Sequence, residues 1–168
     1  LAWLEKCEYI GEDTYWILQK QLRRLSLLKA EIREVEQRLQ QQTQDDIVVQ
    51  RLLEKEGVGL VTAVTLRAEI GRFDRFRTGK QLARFCSVTP RNVSSGQRQA
   101  DAGLIRAGSP ELRRILIETA QRLKWQSDRW SAFNERLKGR GKSSCVITAA
   151  IANRWIRRLY HDLNTIAA

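Results

Sequence analysis

Side chains able to do chemistry are sparse in this sequence, and most of them are arginines, lysines and serines rather than metal ligands. Cys7, Cys86 and Cys145 are widely spaced and form no Cys-x-x-Cys pair, and His161 is the only histidine. That set offers no zinc site and reads as the reduced thiols of a cytosolic chain. Glu69, Asp74 and Asp101 are scattered in unlike contexts. Glu69 and Asp74 read as helix-end and turn residues, so no catalytic metal is expected in this chain. Two clusters remain. Gly57-Val58-Gly59 stands between two short helical patterns. Its glycines permit a sharp turn, after which the free N–H groups of the second helix could meet a phosphate, or the glycines could simply cap an ordinary helix–helix connection. The other cluster is Arg91-Asn92-Val93-Ser94-Ser95-Gly96-Gln97-Arg98, polar and basic, within a stretch that runs from Pro90 through Gly103 and Gly108 to Pro110. It lacks periodicity and reads as a long irregular loop of the kind that is functional or disordered. On its own, Ser-Ser-Gly is a turn.

Helices must position these clusters. Thr14 to Gln42 contains no Gly or Pro and is rich in helix formers. With Leu18 at heptad position a, the next a residues are Leu25, Ile32 and Leu39, and the d residues are Gln21, Leu28, Val35 and Gln42. This is a short, imperfect coiled-coil seam, equally readable as a helix packed on its own domain. The arm spans residues 1–46, and a domain spans residues 47–168. Within the domain, one helix from Ile47 is expected to end at Gly57 and another runs from Leu60 to Ile70, closed by Gly71. Arg72 to Arg84 is basic, and Phe73 and Phe76, set three apart before Gln81, Leu82 and Phe85, read as core anchors rather than base-stacking platforms. After the 86–110 loop, Ser109 caps a helix from Glu111 to Trp125 with Pro110 in its first turn. Leu112, Ile115, Leu116, Thr119, Ala120 and Leu123 form its apolar stripe, and Arg113, Arg114, Glu118, Arg122 and Lys124 lie mostly opposite. A short helix from Phe133 to Lys138, the basic glycine turn Lys138-Gly139-Arg140-Gly141-Lys142 and a helix from Ser144 to about Asp162 complete the C-terminal helices over 111–163. No period-two pattern persists, so the fold class is all-α.

Composition narrows the partners. With 168 residues, 42% hydrophobic and 29% charged, the chain has room for a core and is not disordered. No apolar run is long enough to cross a bilayer, which excludes an integral membrane protein. The net charge of +11 is unevenly spread: residues 1–90 carry 15 basic and 13 acidic side chains, residues 91–168 carry 15 and 6. A basic C-terminal half points to a polyanion, since each Lys or Arg on a phosphate releases condensed counterions. The sequence contains no Met, even at position 1, and is expected to be part of something longer.

Several motifs occur in one order and spacing: Leu53 to Gly71 (LEKEGVGLVTAVTLRAEIG), Phe76-x-x-Gly79-Lys80-Gln81-Leu82, Thr89-Pro90-Arg91, Ser95-Gly96, and Gly108-x-x-x-Leu112-Arg113. The late Gly141-Lys142 and the helix over Ala149–Tyr160 fit the same pattern. Together they resemble the C-terminal transposase domain of the "one-ten" group of insertion-sequence transposases. These are DEDD-type recombinases related to the Piv DNA invertase and described as guided by a bridge RNA. The similarity covers roughly residues 50–160, and the leading helix resembles the coiled-coil segment that joins this domain to an N-terminal RuvC-like domain. Glu56 stands where the family generally has Pro, Ser87 where Gly is common, and Arg106 where Lys is usual.

The resemblance implies a helical transposase domain containing a helix-hairpin-helix and preceded by a coiled-coil helix. It implies a serine nucleophile for DNA strand cleavage and rejoining at Ser95, with Ser94 the competitor, and phosphate stabilisation by Arg91, Arg98 and Arg113. Gly57, Gly59, Thr62, Lys80, Arg106, Arg114, Lys138, Arg140 and Lys142 are the expected nucleic-acid contacts. No cofactor is expected in this chain; Mg2+ is expected in the RuvC-like domain, so this chain alone is expected to be inactive. The implied partners are DNA, a guide RNA and a second copy through the N-terminal helix, with no membrane, in a bacterial or archaeal cytoplasm. The competing reading is a non-catalytic helix-hairpin-helix module for nucleic-acid binding and dimerisation.

Overall fold

A computed structural model describes residues 11–95 and 98–164, and of residues 92–95 and 98–102 the backbone alone. The chain divides into two units at Gln42/Thr43. The first holds most of helix α1 (Glu12–Thr43), uninterrupted because nothing in it breaks a helix and because Glu12 and Asp13 oppose the dipole in its first turn. No α1 side chain is buried, and Leu25, Leu28, Ile32 and Val35 of the heptad seam are all exposed.

In the second unit each helix starts on a capping side chain that the sequence supplies. Asp46 accepts hydrogen bonds from the Val48 and Val49 amides at 2.9 and 3.2 Å and opens α2 (Ile47–Leu53). α2 stops four residues short of Gly57, and the intervening chain closes turns through Lys55 N–H to Leu52 O and Val58 N–H to Lys55 O. α3 (Leu60–Ile70) ends at Gly71 as expected. A 3-10 turn (Phe73–Arg75) leads to Thr78, which caps α4 (Gly79–Phe85). Phe73 is buried, while Phe76 stacks on Phe85 at 5.3 Å against the core, so these aromatics are anchors.

The stretch expected to be irregular is instead an antiparallel hairpin, β1 (Pro90–Ser95) with β2 (Arg98–Leu104). Cα partners run from Ser95↔Arg98 to Asn92↔Asp101, and a register shift precedes Pro90↔Leu104. Its residues do not alternate apolar and polar, so the pairing rests on backbone hydrogen bonds that hydropathy does not report. The hairpin leaves the fold mostly helical.

Ser109 then caps α5 (Pro110–Gln126), and its whole predicted stripe is buried. α6 (Asp128–Lys138) begins five residues earlier than Phe133, which brings Trp130 into the core. α7 (Ser144–Asn164) buries Ile147, Ile151, Ile156 and Leu159 among others. α5 and α7 pack together, with α4 and α6 on α7 and α3 on α5. Each fully buried Leu or Ile contributes roughly 1.5–3 kcal/mol of transfer free energy, and Leu52, Leu66, Leu82, Leu112, Leu116, Leu123, Ile151 and Ile156 form that centre.

Candidate functional site

The hairpin that carries the serine pair is fastened to the core at its root. Ser87 is completely buried at φ 58°, and its Oγ donates to the Ala107 carbonyl at 2.6 Å, tying the segment before β1 to the one after β2. That positive φ gives a physical reason for the glycine common at this place in the resembling family. Gly108 lies at φ 120°, and a Cβ there would overlap the Phe85 carbonyl oxygen and Ser87 Oγ. The Val88 carbonyl accepts from Asn153 Nδ2 of α7 at 3.0 Å, and the Thr89 carbonyl accepts from the Ile105 amide at 2.9 Å. Four strands of evidence in the backbone and side chains thus set the hairpin root: a left-handed serine, a close-packed glycine, an asparagine from α7 and the first ladder bond.

Ser94 and Ser95 are the last two residues of β1, with Gln99 and Arg98 as their Cα partners. Gly96 lies outside the described residues, as do the side chains of Ser94, Ser95, Arg98 and Asp101. Arg91 is exposed on β1. Arg113 stands in the first turns of α5, where its Nη2 reaches the Arg106 carbonyl at 3.5 Å while its Nε is enclosed without a partner. Thr89 Oγ1, at the base of β1, is likewise enclosed and unpartnered. A buried donor left unmatched costs about 1–3 kcal/mol, so the root carries polar groups that folding alone does not satisfy. Arg106 itself is exposed.

The remaining predicted contacts fall into two groups. Lys80 on α4 is exposed, as are Lys138, Arg140 and Lys142 around the turn after α6; Lys138 approaches only Glu135, at 3.9 Å. Gly59 is exposed at the start of α3, whose first amides have no side-chain cap. Other predicted contacts are already engaged. Arg114 pairs with Glu111 and with Glu118, whose hydrogen bonds raise the guanidinium pKa and in the case of Glu111 hold the carboxyl below its ordinary value. Its charge is therefore largely answered within α5. Thr62 is buried, and its Oγ1 accepts from Arg122 Nη2 at 3.4 Å. The same Nη2 reaches Thr119 Oγ1 at 3.3 Å and the Gly57 carbonyl at 3.2 Å. Gly57, at φ 77°, leaves no room for a Cβ against Leu123. The 57–59 turn is thus seated on α5, with Thr62 facing inward and Gly59 outward.

The sequence reading missed two features. Lys124, expected opposite the stripe, is buried; its Nζ donates to Ser144 Oγ at 2.9 Å and Thr148 Oγ1 at 3.2 Å, with no carboxylate in reach. Its aliphatic stem extends the apolar face by one column, which a residue-class reading cannot see. The other is a groove of about 860 Å3 between α6 and α7, lined by Arg129, Arg136, Arg154, Arg157 and Arg158 along with Phe133. None of these five arginines is ion-paired among the described residues; Asp162, the carboxylate at the rim, pairs with Lys55 at 3.5 Å. The signal was available: positions 154, 157 and 158 follow the i, i+3, i+4 spacing of one helix face. Among the described residues no three His, Cys, Asp or Glu side chains converge to hold a metal, and no helix is long and apolar enough to cross a membrane.

Comparison with known proteins adds a lineage to this geometry. Residues 49–135 match the family model of the IS116/IS110/IS902 transposases. Over 139 residues the chain is 31% identical to a probable family 20 transposase of Pseudomonas aeruginosa, covering 81% of this chain and 41% of that protein. It is 30% identical over 131 residues to the transposase for insertion sequence element IS1328 of Yersinia enterocolitica, covering 76% and 39%. Against the transposase for IS1111A of Coxiella burnetii the identity is 32% over 110 residues, covering 62% and 30%. The matched region spans about two-fifths or less of the length of these relatives.

Proposed function

The chain belongs to the IS116/IS110/IS902 family of transposases, and on that premise we propose that it is the serine-bearing C-terminal domain of a DNA-cleaving and DNA-rejoining recombinase. Ser95 is the nucleophile in this reading. Its Oγ forms a bond to a backbone phosphorus, one P–O bond to deoxyribose breaks, and the hydroxyl proton passes to the departing sugar oxygen. Attack by a deoxyribose hydroxyl on the serine phosphodiester reverses these changes and rejoins a strand. Arg91, Arg98 and Arg113 answer the charge that builds on the phosphoryl oxygens. The observation that carries the proposal is the hairpin: it brings Ser95 to the end of β1 opposite Arg98, on a root held by Ser87, Gly108 and Asn153.

The carboxylates of this chain do not converge, so they do not fit Mg2+. The proposal assigns that ion to a RuvC-like domain preceding this one. Lys80, Arg106, Lys138, Arg140, Lys142 and the outward Gly59 are the proposed DNA and guide-RNA contacts; Arg114, Thr62 and Gly57 support the fold around them. The exposed Leu25, Leu28, Ile32 and Val35 row supports pairing of α1 with a second copy as a coiled coil, in a bacterial or archaeal cytoplasm.

The test is covalent trapping in the full-length protein with a nicked DNA substrate. Ser95→Ala is expected to abolish the protein–DNA adduct and Ser94→Ala only to weaken it. The reverse pattern overturns the assignment. An adduct that survives both substitutions favours the second reading, in which the α2–α3 turn with its uncapped α3 amides makes this a non-catalytic helix-hairpin-helix binding module.

A further inference from the structure

We infer that the groove between α6 and α7 binds a single-stranded stretch of nucleic acid. Five arginines line it, and three lie over aromatic rings. The Arg154 and Arg136 guanidiniums sit 4.6 and 5.1 Å from the Phe133 ring centre, and Arg129 sits 5.7 Å from that of Trp130. Phe133 and Trp130 are themselves buried, so the rings serve as seats and the guanidiniums form the outer surface. A guanidinium held flat on a ring keeps its N–H edge for phosphate oxygens and its open face for a base.

Charge selects a polyanion, and shape selects a single strand. The groove encloses about 860 Å3, a space about 10 Å on an edge. A duplex is a convex rod whose major groove alone is about 12 Å wide, so it rests on the rim of such a space rather than in it. An unpaired segment can enter, placing phosphates on Arg157 and Arg158 and turning bases onto Arg154 and Arg136. The lack of competing carboxylates matters as much as the arginines. Elsewhere on the domain Arg114, Arg67 and Arg72 are matched by Glu111, Asp46 and Asp74, whereas here the described residues leave five positive charges unmatched.

This inference rests on the proposed function only in taking nucleic acid to be the partner; it requires neither Ser95 chemistry nor the α2–α3 turn. The experiment is fluorescence anisotropy with the full 168-residue chain and three labelled probes of one sequence: single-stranded RNA, single-stranded DNA and the DNA duplex. Arg154→Gln combined with Arg158→Gln is expected to weaken single-strand binding about tenfold or more. It should also lower the slope of log Kd against log salt by about 1.4, at roughly 0.7 per lost single-strand phosphate contact. The equal-charge change Arg23→Gln with Arg24→Gln on α1 should stay within about twofold of the parent, since charge loss at a distance is screened. Arg154→Lys with Arg158→Lys keeps the charge and loses the flat stack; it should preserve the slope and weaken binding about threefold. The strand, RNA or DNA, that loses more in the glutamine variant is the one that occupies the groove. A glutamine variant with an unchanged melting curve that binds single strands like the parent overturns the inference. Equal losses for duplex and single strands overturn it too. If the glutamine variant does not fold, the lysine variant decides: binding equal to the parent in both affinity and slope overturns the stacking geometry. An absent Ser95 adduct leaves all of these readings unaffected.

Discussion

Replacing Gly108 with Ala probes the root of the hairpin with a single methyl group. Two effects act together. At φ 120° an L residue lies outside its ordinary backbone regions, which costs about 1–3 kcal/mol. The new Cβ would also sit well under 3.0 Å from the Phe85 carbonyl oxygen and Ser87 Oγ. The carbonyl ends α4 and cannot rotate away, so the root must shift and the Ser87–Ala107 hydrogen bond is strained, a further loss of about 0.5–1.5 kcal/mol. Together these give a destabilisation of about 3 kcal/mol, and at about 2–4 °C per kcal/mol the melting temperature should fall by roughly 6–12 °C. Calorimetry or circular dichroism measures it, with Gly139→Ala as the matched control. Gly139 lies at φ −60° and ψ −19°, with its nearest constraint at 3.4 Å, and Ala there should stabilise by about 0.4–1 kcal/mol. A second readout is amide exchange at Ile105, whose bond to the Thr89 carbonyl closes the hairpin and should exchange faster in Gly108→Ala. A Gly108→Ala protein that melts within about 2 °C of the parent refutes the close approach and, with it, the account of how the serine hairpin is held.

Lys124→Met should melt at or above the parent temperature, because it replaces a buried ammonium held only by two hydroxyls with an apolar chain of similar length. A loss above about 1.5 kcal/mol in urea titration would mean that those hydrogen bonds outweigh the desolvation of the charge. Asp46→Ala should destabilise by about 1–2 kcal/mol near neutral pH through the lost α2 cap, along with the 2.7 Å ion pair to Arg67. Burial pushes the Asp46 carboxyl up, but the Arg67 hydrogen bond, the Val49 amide, the Arg67 charge and the Val48 amide outweigh it, so the net position is below the ordinary 3.8. A depressed carboxyl pKa adds stability above the unfolded value and loses it as pH falls through the folded one. The gap between parent and Asp46→Ala should therefore be full at pH 6 and close below about pH 3.8, measured by urea melts across that range.

Helices were legible wherever composition and caps agreed. Asp46, Thr78 and Ser109 each cap a helix through the side chain, and the α5 stripe from Leu112 to Leu123 is buried residue for residue. The hairpin was not legible because Asn92, Ser94, Ser95, Gln97 and Gln99 give no alternating face; only Gly96-Gln97, a Gly-x pair of the kind that favours tight hairpin turns, pointed to it. Lys124 was misplaced because four methylenes can lie in a core while the ammonium finds Ser144 and Thr148 across α7. The free arginine groove was hidden for another reason. Sequence counts Arg114 and Arg154 alike, but only the fold reveals that carboxylates meet the first and not the second.

One consequence of α7 concerns where the domain can be cut. Asn153 holds the hairpin root through the Val88 carbonyl, the next residue is Arg154 of the groove, and Tyr160 donates to the Phe76 carbonyl 2.7 Å away. Three separate tasks are thus threaded along a single terminal helix within eight residues. A shortened version that sheds its last two turns would lose the Tyr160 clasp and the far side of the groove while leaving the hairpin root in place. One that sheds α7 entirely would lose all three. The smallest working piece of this domain therefore ends close to Asn164, and its serine hairpin, although far earlier in the chain, cannot be transplanted without that final helix.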